Sequence, residues 1–507
     1  MKPLIDKNSF LILLSLVVIS MAWRPFFLGF YSDDYNLIIE VVNKGYTRYE
    51  LFESLLYKFA NRPLYGVNAF LLIPILGDSA IAWHSFSVVF SFLIAFVLLK
   101  ICRIFNKSKL DSKLVIYSSL WILLPINFGF LSWPTCIMGL PVVLWYLLSF
   151  YYLIRNNKIV IKDVVLSLFF YMLCIFTYES FYFQFIPMLG ACFIYKQNFY
   201  KDKIYIKVGL LFFLLQALAI IFNRTVTTGG KKSFDADFII NRILAAINNP
   251  EYLIQASIPI LFIIGSSIYV FFLYKKNKVN NNISNDQLMI INFIIGIIIS
   301  ICIYLSVGYS IRPFGLGSRT AICFSIFISF ILFFIARIIF NKDEMLKIKH
   351  LVIPILLSFS VFWQGFNWAS SKNIQEEVLN EIPIDKISNI YNSLILCLVP
   401  NFAGDVLIFE DIWSLNPAIL NKYKIIENNR LNFLPHKNEG FRSSHSVLSK
   451  NTHQFITIRS GHESSILHAE NIYIWNYYTK KLYHVDKEIT IDAQSDLTKL
   501  DLGLEAI

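Results

Sequence analysis

The chain has 507 residues and a mass of 58.8 kDa, with 56% apolar and only 16% charged residues. Soluble globular domains have roughly 45 to 50% apolar and about 25% charged residues, so the composition all but excludes a purely soluble enzyme. The formal charge of +11 does not call for nucleic acid, because Lys and Arg concentrate on the cytoplasmic side of membrane proteins. We therefore expect a polytopic membrane protein with no nucleic-acid partner.

Apolar runs long enough to cross a bilayer recur along the chain and predict about eleven transmembrane helices. They lie near residues 9–23, 80–101, 114–131, 137–154, 163–178, 181–195, 204–222, 252–274, 288–306, 320–340 and 351–369. The first run resembles a signal peptide, since it has small residues at Ser20 and Ala22 near its end, but we interpret it as an uncleaved span.

Lysines and arginines concentrate between alternate spans, whereas the short turns 126–136 and 178–180 contain neither. The positive-inside rule places the N-terminus in the cytoplasm and, with an odd number of spans, the C-terminus in the periplasm of a bacterium. Three long segments then face outward: 24–79, 223–251 and everything after about residue 370. Functional residues are expected there.

The last segment differs in character from the rest, because short alternating apolar runs replace the long ones. Val406–Phe409, Phe455–Ile458 and Ile472–Trp475 are examples, and each predicts a strand. The sequence therefore predicts a membrane module over residues 1–369 and a soluble periplasmic α+β domain over 370–507.

Two adjacent carboxylates, Asp33 and Asp34, follow the first span at the predicted outer surface. One reading is structural, with Ser32 or Asp33 capping a helix that begins near Asn36. The other is catalytic: one carboxylate acts as a general base on an acceptor hydroxyl, while the other orients it or binds a metal.

Further along the same outer segment comes Asn61-Arg62-Pro63-Leu64-Tyr65, then an apolar stretch to Leu76, Gly77-Asp78-Ser79 and a span that contains His84. With the acidic pair before it, this order resembles the GT-C class of membrane glycosyltransferases. Within that class, the size of the chain, its Asp-Asp-Tyr element, its Tyr178-Glu179 pair and its terminal domain resemble the serotype-converting, Gtr-type O-antigen glucosyltransferases. The chain departs from many members in having one proline after Arg62 and a histidine at position 84.

Glu179 lies between two predicted spans, in a turn that has no basic neighbour in sequence. An acid at membrane depth is a candidate catalytic residue. The alternative is a carboxylate exposed to solvent in an ordinary loop.

A later outer loop contains Arg312 and Arg319, with Gly315 and Gly317 between them. Arginine presents a planar fork of donors that suits phosphate, so these two residues and Arg62 are candidates for binding a lipid-borne phosphate. The alternative is a pair of interfacial arginines that reach lipid headgroups. Lys231 and Lys232 are either a second phosphate-binding element or part of an ordinary polar loop.

The resemblance implies an inverting inner-membrane glycosyltransferase that moves glucose from undecaprenyl phosphate to an O-antigen hydroxyl on the periplasmic side. It implies partners in the polyprenyl-phosphate sugar, the O-antigen acceptor and membrane lipid. No cofactor is expected, and a divalent metal is possible but not indicated, since the histidines after residue 370 have no zinc-site spacing. The alternatives are the same fold acting on lipid A or protein, and a transporter or flippase of lipid-linked sugars.

Overall fold

The structure is a computed structural model. It describes residues 7–106, 110–156, 160–195, 204–226, 284–306, 315–340, 346–387, 393–400, 402–404, 406–409, 412–423, 432–435, 444–449, 454–459, 462–468, 471–485 and 489–491.

Most of the described chain is helical. The α-helices are α1 Lys7–Met21, α2 Arg24–Phe27, α3 Glu40–Lys44, α4 Arg48–Lys58, α5 Pro63–Leu76, α6 Ala80–Asn106, α7 Ser112–Ser118, α8 Phe128–Ser132, α9 Pro134–Ile137, α10 Pro141–Ile154, α11 Ile161–Thr177, α12 Phe185–Tyr195, α13 Ile204–Val226, α14 Asn285–Ser306, α15 Ile322–Ile339, α16 Val352–Glu381 and α17 Ile412–Tyr423. The strands are β1 Ser393–Leu398, β2 Phe402–Ala403, β3 Val406–Leu407, β4 Asn432–Pro435, β5 Ser444–Ser449, β6 Gln454–Arg459, β7 His462–His468, β8 Asn471–Asn476, β9 Lys481–His484 and β10 Ile489–Ile491.

Six predicted spans are confirmed, among the described residues, as helical segments long and apolar enough to cross a membrane. They are Asn8–Phe27, Ala80–Asn106, Pro134–Ile154, Asn285–Tyr304, Ser318–Ile339 and Val352–Lys386. The predicted run at 204–222 lies in α13, a helix of 23 residues that contains the shorter apolar stretch Ile206–Phe222. The run at 181–195 gives α12, whose 11 residues extend about 16 Å, well short of the roughly 30 Å hydrocarbon core. The run at 252–274 lies outside the described residues.

The run at 114–131 differs from the prediction, because it is not one helix. The chain from α7 to α10 is a series of short turns and helices that restart at Pro125, Pro134 and Pro141. Proline has no backbone N–H to donate and clashes with the preceding turn, so it begins helices more readily than it continues them. We call residues 119–140 the broken segment; every one of them is buried.

Side chains donate to backbone carbonyls of the broken segment, in place of the amide groups of a continuous helix. Ser87 Oγ donates to the Leu131 carbonyl at 2.6 Å, and Asn68 Nδ2 donates to the Met138 carbonyl at 3.1 Å. The Tyr65 hydroxyl donates to the Thr135 carbonyl at 2.5 Å, and Asn127 Nδ2 to that of Trp121 at 2.8 Å. Irregular backbone is tolerated at membrane depth where protein surrounds it, and these bonds show how.

The described chain divides into two compact units. The first contains residues 1–28 and 47–365, and the second contains 29–46 and 366–507. The sequence placed residues 29–46 with the membrane module, whereas the structure groups them with the strands. Helix α16 contributes to both units; its 30 residues extend about 45 Å, which exceeds the hydrocarbon thickness and explains its polar second half.

One end of the first unit is joined by ion pairs between helix termini. Arg337, near the end of α15, pairs with Asp286 at 3.1 Å and donates to the Phe105 carbonyl of α6 at 2.7 Å. Arg155 pairs with Asp163 across the connection from α10 to α11. These are the helix ends that the positive-inside rule assigned to the cytoplasm.

The second unit contains the strands. One sheet has the order β4-β1-β8-β9, in which β1 is parallel to both β4 and β8, and another has the antiparallel order β10-β5-β6-β7. Strands occur in all three predicted runs, although only Val406–Leu407 of the first is a strand.

A buried core links the parallel strands to the far end of α16, to α17 and to a π-helical turn, Tyr35–Ile39. Ile395 and Trp475 contribute from the sheet, Val378 from α16 and Ile419 from α17. Tyr35 belongs to the same cluster, so the short segment after the first span is an integral part of the second unit.

Candidate functional site

The acidic pair lies in a tight turn in the second unit, where its two carboxylates occupy different environments. Asp34 is fully buried, and its Oδ2 accepts the backbone N–H of Tyr31 at 2.7 Å. The Asp34 N–H returns a bond to the Tyr31 carbonyl at 2.9 Å. Asp33 is half-buried. Asp34 therefore holds the turn, and Asp33 is the more accessible carboxylate.

The turn is locally strained. Ser32 has a φ of +45°, a left-handed conformation that residues with a Cβ rarely adopt, and the chain then enters the π-helical turn at Tyr35. Strained residues and π-turns concentrate at functional sites. The sequence offered Ser32 or Asp33 as a helix cap, but the observed capping bond involves Asp34. Its side chain accepts the backbone N–H of Tyr31, three residues earlier, as the acidic residue of a capping box does.

Two tyrosines flank the pair and connect it to α16. The Tyr31 hydroxyl donates to the Trp368 carbonyl at 3.0 Å, and the Tyr35 hydroxyl donates to Gln375 Oε1 at 3.2 Å. Burial raises the pKa of both hydroxyls above the usual tyrosine value, and the charges of Asp34 and nearby Glu376 raise it further. Both tyrosines therefore remain protonated donors at neutral pH.

Sequence reasoning missed Lys372 and Glu376, which α16 contributes beside this turn. The two side chains are 3.7 Å apart at an i,i+4 spacing, and the Lys372 stem lies so close to Gly29 that a Cβ there would be 2.9 Å from Lys372 Cγ. The sequence signal that could have revealed them is the i,i+4 spacing of these two charged residues just after the last apolar run. We had interpreted that position as a domain boundary.

In the first unit, Arg62 and Glu179 form a direct pair although they are 117 residues apart. Arg62 Nε donates to Glu179 Oε2 at 2.5 Å, and Arg62 Nη2 donates to the other carboxylate oxygen. The side chains are only 20% and 16% exposed. Helix α5 positions the arginine, which precedes its first residue, and a short 3-10 turn after α11 positions the glutamate.

Tyr178 and the broken segment connect this pair to Arg319. The Arg62 guanidinium lies 4.4 Å from the centre of the Tyr178 ring, and Arg319 is close enough to interact electrostatically with Tyr178. The Arg319 guanidinium itself lies 4.9 Å from the Trp133 ring, and Phe130 packs edge-on against Tyr178. We call Arg62, Tyr178, Glu179 and Arg319 the arginine cluster.

A close backbone approach fixes the turn that carries Arg319. Gly129 N donates to Ser318 Oγ at 3.0 Å, and Ser318 Oγ donates to the Gly315 carbonyl at 2.9 Å. A Cβ on Gly129 would lie 2.2 Å from Ser318 Oγ, so only glycine fits there without a shift. These bonds hold the turn that carries Arg319 against the broken segment.

The acidic pair and the arginine cluster belong to different units. Arg312, Lys231 and Lys232 lie outside the described residues, so their assignment to the donor phosphate stays a prediction. His84 is buried in α6. Within the described ranges, no group of three or more His, Cys, Asp or Glu side chains is placed to hold a metal ion.

Neither a protein-family model nor a curated protein sequence matches the chain.

Proposed function

We propose that the chain is an integral inner-membrane glycosyltransferase that moves a sugar from undecaprenyl phosphate to a hydroxyl of an O-antigen unit on the periplasmic side. Glucose as the sugar, and inversion at the anomeric carbon, come from the resemblance in sequence. The arginine cluster is the observation that supports the proposal most: loops distant in sequence bring two cations together in a chain of membrane-crossing helices.

Arg62 and Arg319 would bind the phosphate of the donor. Each guanidinium lies on an aromatic face, which holds its plane in one orientation. Glu179 occupies two donors of Arg62 and so orients it. We assign Glu179 to positioning Arg62, in place of the catalytic role for which the sequence made it a candidate.

Asp33 would act as the general base. It takes the proton of the acceptor hydroxyl, the acceptor oxygen forms a bond to the anomeric carbon, and the bond from that carbon to the phosphate oxygen breaks. Undecaprenyl phosphate leaves with the electron pair, and Arg62 and Arg319, as the proposed phosphate-binding residues, would stabilise its added charge. Asp34 keeps the turn that presents Asp33.

The test uses purified full-length protein with radiolabelled undecaprenyl phosphate glucose. The label is expected to move to lipid-linked O-antigen oligosaccharide with the wild-type chain and not with Asp33→Asn. Transfer to lipid A or to protein alone would replace the acceptor. Movement of the intact donor across proteoliposome membranes without transfer to any acceptor would replace the proposal with transport.

A further inference from the structure

Arg24, which the sequence did not single out, is a buried cation at the end of the first apolar helix. It is 1% exposed, and its Nη1 donates to Ser132 Oγ of the broken segment at 3.1 Å. Its Nε and Nη2 atoms are also buried and have no hydrogen-bond partner within the described part of the chain. The guanidinium lies 4.2 Å from the centre of the Phe128 ring.

The preceding residue adds a third buried donor. Trp23 Nε1 is buried without a hydrogen-bond partner among the described residues, while its ring stacks between Phe128 and Phe362. Indole and guanidinium groups donate and never accept. Two consecutive residues therefore present three buried donors and one positive charge to an acceptor that the described protein does not supply.

Native proteins rarely leave such groups unsatisfied, because each unpaired buried donor costs about 1 to 3 kcal/mol and a charged one costs more. The matching ligand has several oxygen acceptors and negative charge. The depth of this ligand in the membrane is indicated by Phe26 and Phe27, two and three residues after Arg24, which are 70% and 58% exposed at the end of the apolar segment Asn8–Phe27. At such a helix end, the anions within reach are the phosphates of lipids.

We propose that Trp23 and Arg24 bind the phosphate of a membrane-borne phosphate ester, with Ser132 holding one edge of the guanidinium. The ester is either the polyprenyl phosphate carrier or a phospholipid, and the first of these rests on the proposed function. The Arg24 guanidinium lies on the Phe128 ring, and the Arg319 guanidinium lies on the Trp133 ring five residues later. The broken segment therefore provides an aromatic contact for each of these two cations.

Binding is measured on the purified full-length protein in uncharged detergent, with radiolabelled farnesyl phosphate as the probe and farnesol as its uncharged counterpart. Arg24→Leu is expected to raise the dissociation constant of farnesyl phosphate about ten- to a hundredfold and to leave farnesol binding unchanged. Trp23→Phe keeps the ring and removes one donor, so a rise of about two- to tenfold is expected. Arg48→Leu, at an exposed arginine of α4, is the matched control and should bind as the wild type does.

Stability separates binding from misfolding. Without ligand, Arg24→Leu should melt at the wild-type temperature or above, since it removes a buried charge that lacks an acceptor. If it fails to fold, Arg24→Gln takes its place in the binding assay. If the variant used, Arg24→Leu or Arg24→Gln, binds farnesyl phosphate as tightly as the wild type does, the proposed site is wrong. Water would then be the acceptor for the buried Arg24 donors.

Competition identifies the natural ester. Dimyristoyl phosphatidylglycerol should displace farnesyl phosphate if a phospholipid occupies the site, and should not if the site selects the polyprenyl carrier. Sugar transfer is followed in parallel. If farnesyl phosphate binding depends on Arg24 but no sugar is transferred, this inference holds and the proposed function fails. If sugar is transferred but binding does not depend on Arg24, the proposed function holds and this inference fails.

Discussion

Asp33 and Asp34 are neighbours of identical chemistry, and the structure predicts opposite consequences when each is replaced by alanine. Asp34→Ala removes the acceptor of the buried Tyr31 amide, whereas Asp33→Ala removes a half-buried carboxylate from the same turn. We expect the first variant to lose stability and the second to lose turnover.

The size of each effect follows from the environment. An unsatisfied buried N–H costs about 1 to 3 kcal/mol, so Asp34→Ala should melt several degrees below the wild type. Asp34→Asn keeps an oxygen for that amide and should recover most of the loss. For Asp33→Ala the stability change should stay below about 1 kcal/mol, while loss of a general base lowers the rate about 10²- to 10⁴-fold.

Two measurements on the same preparations separate the roles: thermal unfolding in detergent, and single-turnover transfer from undecaprenyl phosphate glucose. The reasoning is refuted if Asp33→Ala retains wild-type turnover. A stable but inactive Asp34→Ala would reverse the two assignments, and full activity in both variants would end the general-base proposal.

Three further predictions concern the first unit and the topology. Arg62→Gln and Glu179→Gln should each lower stability, and a double-mutant cycle followed by thermal unfolding should give a coupling of about 1 to 3 kcal/mol; additive losses would contradict the pairing. Ser87→Ala should cost about 1 to 3 kcal/mol because it strips the Leu131 carbonyl, whereas Ser91→Ala, whose buried Oγ has no partner among the described residues, should be neutral or stabilising in the same unfolding assay. Reporter fusions at Lys278 and at the C-terminus should report opposite compartments, and a cytoplasmic C-terminus would contradict the predicted orientation.

Sequence patterns predicted the regular helices well, because hydropathy and helix-starting residues are local. Helices α6 and α15, for example, are found at the predicted runs 80–101 and 320–340. The broken segment was missed because an apolar window counts side chains and ignores whether each carbonyl finds a partner. Pro125 and Pro134 were visible in the sequence, but the donors that make a break possible come from other helices.

The sequence indicated several residues of the candidate site, but it did not predict which of them contact one another. The sequence assigned Arg62 to phosphate and Glu179 to catalysis, and no local signal reveals that they bind each other across 117 residues. The grouping of Tyr35 with strand residues such as Trp475 is likewise a long-range packing effect. Arg24 was overlooked because one arginine at the end of a span ordinarily reaches lipid headgroups, and only its burial distinguishes it.

The broken segment also constrains how the protein is made. A continuous apolar helix can leave the translocation machinery sideways into lipid on its own, because all its backbone groups are paired within it. The stretch from Ser119 to Leu140 relies on Tyr65, Asn68 and Ser87, which precede it, and on Ser318, which is synthesised long after it. We therefore expect part of it to stay sheltered from lipid, by earlier helices or by the insertion machinery, until the turn that carries Ser318 has been synthesised. Truncated chains that end before residue 315 should accordingly be targets of membrane quality control.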